Sequence, residues 1–160
     1  MVRLGVLGCS SFAIRRFIPS ILRSRSIRLI AVASRNQNKA TSVARAFSCE
    51  AVHGYEALLD RDDIDAVYIP LPAGIHANWA SQALLNDKHV LVEKPAAMDF
   101  KEASLMASIA KEKDLVLMEN FGFEYHNQRH LIKSLVDDGI IGELRSLSSA
   151  FGIPRLPNPN

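Results

Sequence analysis

Glu93 and Lys94 stand side by side in Val92-Glu93-Lys94-Pro95, directly after the apolar run HVLV. A lysine ammonium is a compact donor whose pKa falls on desolvation, so it can protonate or polarise a reacting oxygen. A proline after it restricts the loop, and the low cis cost of an X-Pro bond allows a turn that aims Lys94 inward. A plain surface ion pair is the competing reading of the same two residues. A second stretch, Gly5 to Ala13 (GVLGCSSFA), approaches the G-x-G-x-x-G/A loop that receives a diphosphate on a helix N-terminus. Gly8 permits the tight turn and Ala13 permits close packing of helix on strand. Ser10 occupies the position of the second glycine, where its Cβ crowds the diphosphate path and its hydroxyl offers a donor. Alone, the loop fits either a phosphate cradle or an ordinary strand-to-helix turn.

Two further stretches bear on that choice. Ala31 to Asn36 (AVASRN) closes a second apolar run about 20 residues on, where an acidic residue often binds the ribose hydroxyls of NAD. Ser34 and Arg35 stand there instead. A guanidinium pairs bidentately with a phosphate, so Arg35 suits the 2′-phosphate of NADP rather than NAD, and Lys39 on the next helical turn adds charge. A solvated basic loop is the alternative. Tyr68 to His76 (YIPLPAGIH) follows a third run, and its two prolines fix the loop at a position where open parallel sheets bind ligands. His76 fits either a functional role or a packing role in the first helical turn.

The elements that must position these residues alternate. Arg3–Leu7, Ile27–Ala33, Ala51-Val52, Ala66–Ile69, His89–Val92 and Leu115–Met118 read as short buried strands. Phe12–Leu22, Asn38–Phe47, Tyr55–Leu59, Ile75–Leu85 and Phe100–Lys111 read as helices, with Ser10 or Ser11 capping the first and Pro19 awkward inside it. Continuous apolar strands alternating with helices predict an α/β fold with a doubly wound parallel sheet, a Rossmann-type dinucleotide domain over residues 1–121. From residue 122 the rhythm changes. Tyr125–Val136 reads as a helix and Gly142–Phe151 as an alternating strand. Residues 122–160 are therefore expected to be the connecting helix and first strand of an incomplete second α+β domain. The proline-rich end, IPRLPNPN, has no periodicity.

The 160 residues include 48% hydrophobic and 22% charged residues, which fits one folded α/β domain and excludes disorder. The net charge of +2 does not call for a nucleic-acid partner. No apolar run nears the roughly 20 residues of a membrane span, and the start lacks a signal peptide's long apolar region, so a cytoplasmic location is expected. Cys9 and Cys49 have neither metal-ligand spacing nor a disulfide framework. His126 and His130 share a helix face but lack the accompanying Glu of a zinc helix, and the Asp60–Asp65 run lacks the glycine and terminal Glu of a calcium loop. No metal is expected.

Taken in order, GVLGCSSFA, AVASRN, AVYIPLPAGIHANWA, KHVLVEKPAA, LMEN and DDGIIGELR resemble the Gfo/Idh/MocA oxidoreductases over essentially the whole chain. Within them, CSSFAIRRFIPS, SLVDDGIIGELRS and SAFGIP look most like NADP-dependent C-3 ketoreductases of deoxysugar pathways. The resemblance implies that Gly8, Cys9, Ser10, Ser11, Phe12 and Ala13 hold the diphosphate, and that Ser34 and Arg35 take the 2′-phosphate. Leu71, Pro72 and His76 would line the nicotinamide side. Glu93 and Lys94 would help hold the cofactor, and Lys94 would also be the catalytic group on the reacting oxygen of a sugar or polyol. It also implies a second domain beyond Asn160 with a further catalytic Tyr or His and the face of a homo-oligomer. This sequence departs at Ser10, at Ala73-Gly74 where many members have Asn-Ser, and at Asn127 where many have Pro. The alternative is a dinucleotide-binding regulatory or scaffold protein on the same fold, for which the intact Glu93-Lys94-Pro95 is unnecessary.

Overall fold

The computed structural model describes residues 1–150 and 152. It separates into two compact units, Met1–Phe121 and Gly122–Asn160.

In the first unit, β1 (Val2–Leu7), β2 (Ile27–Ser34), β3 (Glu50–His53), β4 (Ala66–Ile69), β5 (His89–Val92) and β6 (Leu117–Glu119) form one sheet. Its order is β3-β2-β1-β4-β5-β6 and its pairings are parallel. The chain winds outward from β1 to β3, then returns to the other side of β1 to begin β4. That reversal opens a crevice at the carboxyl ends of β1 and β4, where doubly wound sheets bind ligands.

Successive strand residues point to opposite faces, so a strand covered on both sides must be apolar throughout. Leu4, Val6, Val32 and Tyr68 pack on one face with Ile18 and Ile21 of α1 (Ile18–Ile21) and Val43 and Ala44 of α2 (Gln37–Phe47). Leu7, Ala31, Ala33, Val67, Ile69 and Val92 pack on the other. Their partners come from α3 (Glu56–Leu59), α4 (His76–Leu85) and α5 (Phe100–Glu112), through Leu58, Ala80, Leu84 and Met106. The small alanines of α4 let it lie close to the sheet. At the opposite, amino edge of the sheet the acidic run is tied down by pairing. Arg61 bridges Asp63 and Glu50, each at 2.6 Å. Arg3 holds Asp65 at 2.5 Å and keeps its carboxyl down at about 2. Asp63 and Asp65 thus act as staples rather than only as part of a solvated connection.

The first helix and the last strand differ most from the sequence reading. The first helix is not a regular α-helix from Phe12 to Leu22. A widened π-type turn over Ala13–Phe17 precedes α1, with the Ile18 N–H bonded to the Ala13 carbonyl five residues back. Pro19 follows at the start of α1. A proline ring clashes with the carbonyl four residues before it, and the wider turn moves that carbonyl away. The last strand begins at Leu117 rather than Leu115. Leu115 spends its N–H on the Ala110 carbonyl (2.9 Å), closing the end of α5, and Val116 donates to His89 Nδ1 (3.0 Å).

The second unit holds a 3-10 turn at Gly122–Tyr125 and α6 (Asn127–Asp137). Arg129 pairs with Glu124 and lies 5.8 Å over the Phe123 ring. His126 caps α6, its Nδ1 accepting the Gln128 N–H at 3.2 Å. The strand expected over Gly142–Phe151 does not form across residues 142–150, and Phe151 lies outside the described residues, as does 153–160. Alternating residues make a strand only against a paired neighbour, and no strand is present among the described residues of this unit. No helix among the described residues is long and apolar enough to cross a membrane.

Candidate functional site

Every stretch singled out for chemistry leaves the sheet at the same edge. Gly8 to Ser10 follow β1, Arg35 follows β2, Pro70 to Pro72 follow β4, Glu93 to Pro95 follow β5 and Asn120 follows β6. A cavity of about 500 Å³ opens there, with Gly8, Cys9 and Ser10 on one wall. Ser34, Arg35 and Lys39 form a second wall, and Leu71 and Pro72 a third. Eight of the residues expected to bind cofactor thus share one concavity. Asn36 and Pro70, which belong to the quoted stretches, also line it, as does Tyr55, which was not singled out from sequence.

The first wall is shaped by Gly8, whose φ of +112° disfavours side chains. A Cβ there would come within 2.6 Å of Leu71 Cδ2. The Gly8 N–H bonds the Ala33 carbonyl at 2.9 Å, anchoring the turn to β2. Ser10, not Ser11, is the cap: its Oγ accepts the Ala13 N–H at 3.1 Å. A hydroxyl has one hydrogen and two lone pairs, so Ser10 caps with a lone pair and keeps its hydrogen to donate outward. The Cys9 thiol is buried with Sγ 3.8 Å from the Ala33 carbonyl, and burial raises its pKa. It is a small neutral filler that adds no negative charge beside a phosphate.

The second wall is cationic. The Asn36 side chain caps α2 by accepting the Lys39 N–H at 3.1 Å, while the Asn36 N–H donates to Ser34 Oγ at 3.1 Å. His53 Nε2 lies 3.1 Å from the Arg35 carbonyl and steadies the same turn. Arg35 and Lys39 are exposed, and no carboxylate pairs with either among the described residues. Two unneutralised cations beside a helix N-terminus make a strong anion site.

Ser11, Phe12, Ala13, His76, Glu93 and Lys94 do not line this cavity. Ser11 and Phe12 border a separate exposed depression with Arg15 and Arg16. Ala13 is fully buried beneath the loop. His76 is 1% exposed and sits behind the wall. Its Nδ1 lies 2.8 Å from the Pro95 carbonyl and its Nε2 2.6 Å from the Leu71 carbonyl. The ring therefore ties the proline loop after β4 to the Glu93–Pro95 loop after β5.

That last loop is held from several sides. The Lys94–Pro95 bond is cis. The Glu93 N–H bonds the Ile69 carbonyl at 3.1 Å and the Ala96 N–H bonds Glu119 Oε1 at 2.9 Å. Glu93 Oε1 accepts from Tyr68 Oη at 2.6 Å and from Asn120 Nδ2 at 2.5 Å. Tyr68 is fully buried, and Phe17 stacks on its ring with centroids 3.6 Å apart. Burial, and then the bond to Glu93, push its phenol pKa far up, so it stays a donor. Lys94 is exposed and makes no hydrogen bond or ion pair among the described residues. It is not spent on Glu93, so the surface-pair reading of these neighbours does not hold. Tyr68→Phe keeps the stack but removes one donor to Glu93. It is expected to lower stability by about 1–2 kcal/mol in a denaturant melt; an unchanged midpoint would show that the bond carries no weight.

Among the described residues no group of three or more His, Cys, Asp or Glu could hold a metal ion. The arrangement can hold a dinucleotide's phosphates and present a free ammonium at the same sheet edge.

Comparison with known proteins identifies the family of the fold. Residues 2–121 match the Gfo/Idh/MocA oxidoreductase family, described by its NAD-binding Rossmann fold. A dTDP-3,4-didehydro-2,6-dideoxy-alpha-D-glucose 3-reductase of Saccharopolyspora spinosa is 48% identical over 98% of the chain and 47% of its own length. A D-xylose 1-dehydrogenase (NADP(+)) of Haloferax volcanii is 35% identical over 96% of the chain and 47% of its own length. Among solved structures, the 3-ketoreductase KijD10 of Actinomadura kijaniata, in complex with TDP-benzene and NADP, superposes with a TM-score of 0.85. It is 44% identical, and the match covers 89% of this chain and 45% of that one. The chain spans about half the length of these relatives.

Proposed function

The chain belongs to the Gfo/Idh/MocA oxidoreductase family, and from that premise we propose that it is the cofactor-binding part of an NADP-dependent oxidoreductase acting on a carbohydrate ketone or alcohol. One observation carries the reading. The Gly8–Ser10 turn and the cations Arg35 and Lys39, unpaired among the described residues, face into a single cavity. A diphosphate at the first wall and a 2′-phosphate at the second require that combination, and NAD leaves the two cations without a partner. The residues present fit the group: a side chain at Gly8 would fill the cradle and meet Leu71. The Ser10 hydroxyl hydrogen is left to donate to a phosphate oxygen.

Bound NADP supplies or accepts the hydride. The chain's own part is positioning and charge. Leu71 and Pro72 wall the nicotinamide side, and His76 holds that wall against the loop of Lys94 through the two carbonyls. Glu93, steadied by Tyr68 and Asn120, contributes to the cofactor side of the crevice. Lys94 Nζ donates to the reacting oxygen, stabilising the negative charge that grows on it as a ketone is reduced. The similarity to reductases of dTDP-linked deoxysugars supports a nucleotide-linked 3-ketosugar as the substrate class. The remaining substrate contacts and a homo-oligomeric interface belong to the same proposal, as functions of a second domain.

NADPH consumption with a dTDP-linked 3-keto-deoxysugar tests the reading. Loss of nicotinamide absorbance that depends on the ketosugar is expected. Tight NADPH binding with no oxidation by any ketosugar, in a protein of the relatives' full length, would favour a dinucleotide-binding regulatory role instead.

A further inference from the structure

Tyr55 is a nearly buried tyrosine whose hydroxyl has no hydrogen-bond partner among the described residues. It stands between β3 and α3, where its carbonyl accepts the Leu58 and Leu59 N–H groups, both at 3.1 Å. The residue before it, Gly54, donates its N–H to the Ser34 carbonyl at 3.1 Å. The backbone at Tyr55 is thus fastened to the end of β2, beside Ser34 and Arg35. The ring packs edge-on against Trp79 of α4, with centroids 5.0 Å apart at 84°. Its surroundings are the apolar cluster of Leu7, Ala33 and Leu58, and only 6% of the residue is exposed.

The hydroxyl is the exception to this apolar setting. It makes no hydrogen bond among the described residues, yet no fully buried side-chain polar atom among them lacks a partner. The hydroxyl is therefore not sealed in. Tyr55 lines the cavity of Gly8, Ser34 and Arg35, and its Oη lies 3.9 Å from where a Cβ on Gly8 would stand. Phenylalanine would fill the apolar cluster equally well and would spare the cost of desolvating a hydroxyl. A phenol held by Trp79 and directed at the glycine turn is suited to donate to a ligand oxygen.

We propose that Tyr55 is a cofactor ligand, its hydroxyl donating to a ribose or phosphate oxygen in the adenosine half of the dinucleotide. The position decides the half. Gly54 ties Tyr55 to Ser34, and the cavity's cations are Arg35 and Lys39, whereas Glu93 and Lys94 lie outside it. The inference rests on the NADP reading above and extends it to a residue with no motif around it.

Tyr55→Phe tests it, because the ring and its contact with Trp79 remain. Trp79 is the only tryptophan in the chain, so its fluorescence reports binding at close range. Wild type and variant are titrated with NADPH, with 2′,5′-ADP and with nicotinamide mononucleotide. The variant is expected to bind NADPH and 2′,5′-ADP about 5- to 20-fold more weakly, by similar factors, and the mononucleotide unchanged. Its ligand-free Tm should not fall, since no protein bond is lost. Binding of NADPH within about twofold of wild type would overturn the assignment of Tyr55 alone. So would a fall in ligand-free Tm that matches the loss of affinity. A wild-type chain that binds none of the three ligands would overturn the NADP reading and this inference together.

Discussion

Lys94→Met is expected to lower ketosugar turnover by about 100- to 1,000-fold, the usual cost of losing one donor to a developing oxyanion. Methionine keeps the unbranched reach of the side chain and removes only the ammonium. Lys94 has no partner among the described residues to leave stranded, so the variant should fold as wild type does. It also lies outside the cavity lined by Gly8, Ser10, Arg35 and Lys39. NADPH affinity should accordingly stay within about threefold, the size of an exposed charge contribution. Single-turnover kinetics alongside a fluorescence titration would separate these effects. Turnover within a few-fold of wild type would remove Lys94 from the chemistry; a joint collapse of binding and turnover would make it a cofactor anchor.

Arg35→Ala is expected to weaken NADPH binding by about 10- to 100-fold while leaving NADH nearly unchanged. The cause is unbalanced charge. Arg35 and Lys39 face the cavity with no carboxylate between them, and the Asn36 cap and His53 hold the turn that carries them. A 2′-phosphate is the partner that setting lacks. Because Arg35 is exposed, the loss should shrink as salt screens the pairing. Equal losses for both cofactors, or a loss that salt does not alter, would place Arg35 elsewhere in the site.

The sheet and its edge were legible in the sequence because both depend on local pattern. Continuous apolar runs such as IRLIAVA can be satisfied only by a strand covered on two faces, and each motif directly follows such a run. The links between motifs were not legible. His76 meets Pro95 across 19 residues of chain, and Tyr68 meets Glu93 across 25. Neither pairing leaves a trace in spacing, since it depends on β4 and β5 being neighbours in the sheet. Tyr55 was hidden differently. As an aromatic before a short helical turn it reads as core, and only its unpartnered hydroxyl marks it as more. The one cue available was the choice of Tyr over Phe in an apolar setting. Pro19 did register as a conflict, and the widened turn over Ala13–Phe17 is its resolution. Across the described residues 142–150 the expected strand does not form, because alternation records a preference while a ladder needs a partner.

The central claim is that one cavity at the carboxyl edge of the sheet takes NADP by its two phosphate ends. Parallel titrations of this chain with NADPH and NADH, followed by Trp79 fluorescence, test it most directly. NADPH should bind more tightly by about 10-fold or more, with a preference that falls as salt is raised. Equal affinity for the two, preference for NADH, or no binding of either would contradict it.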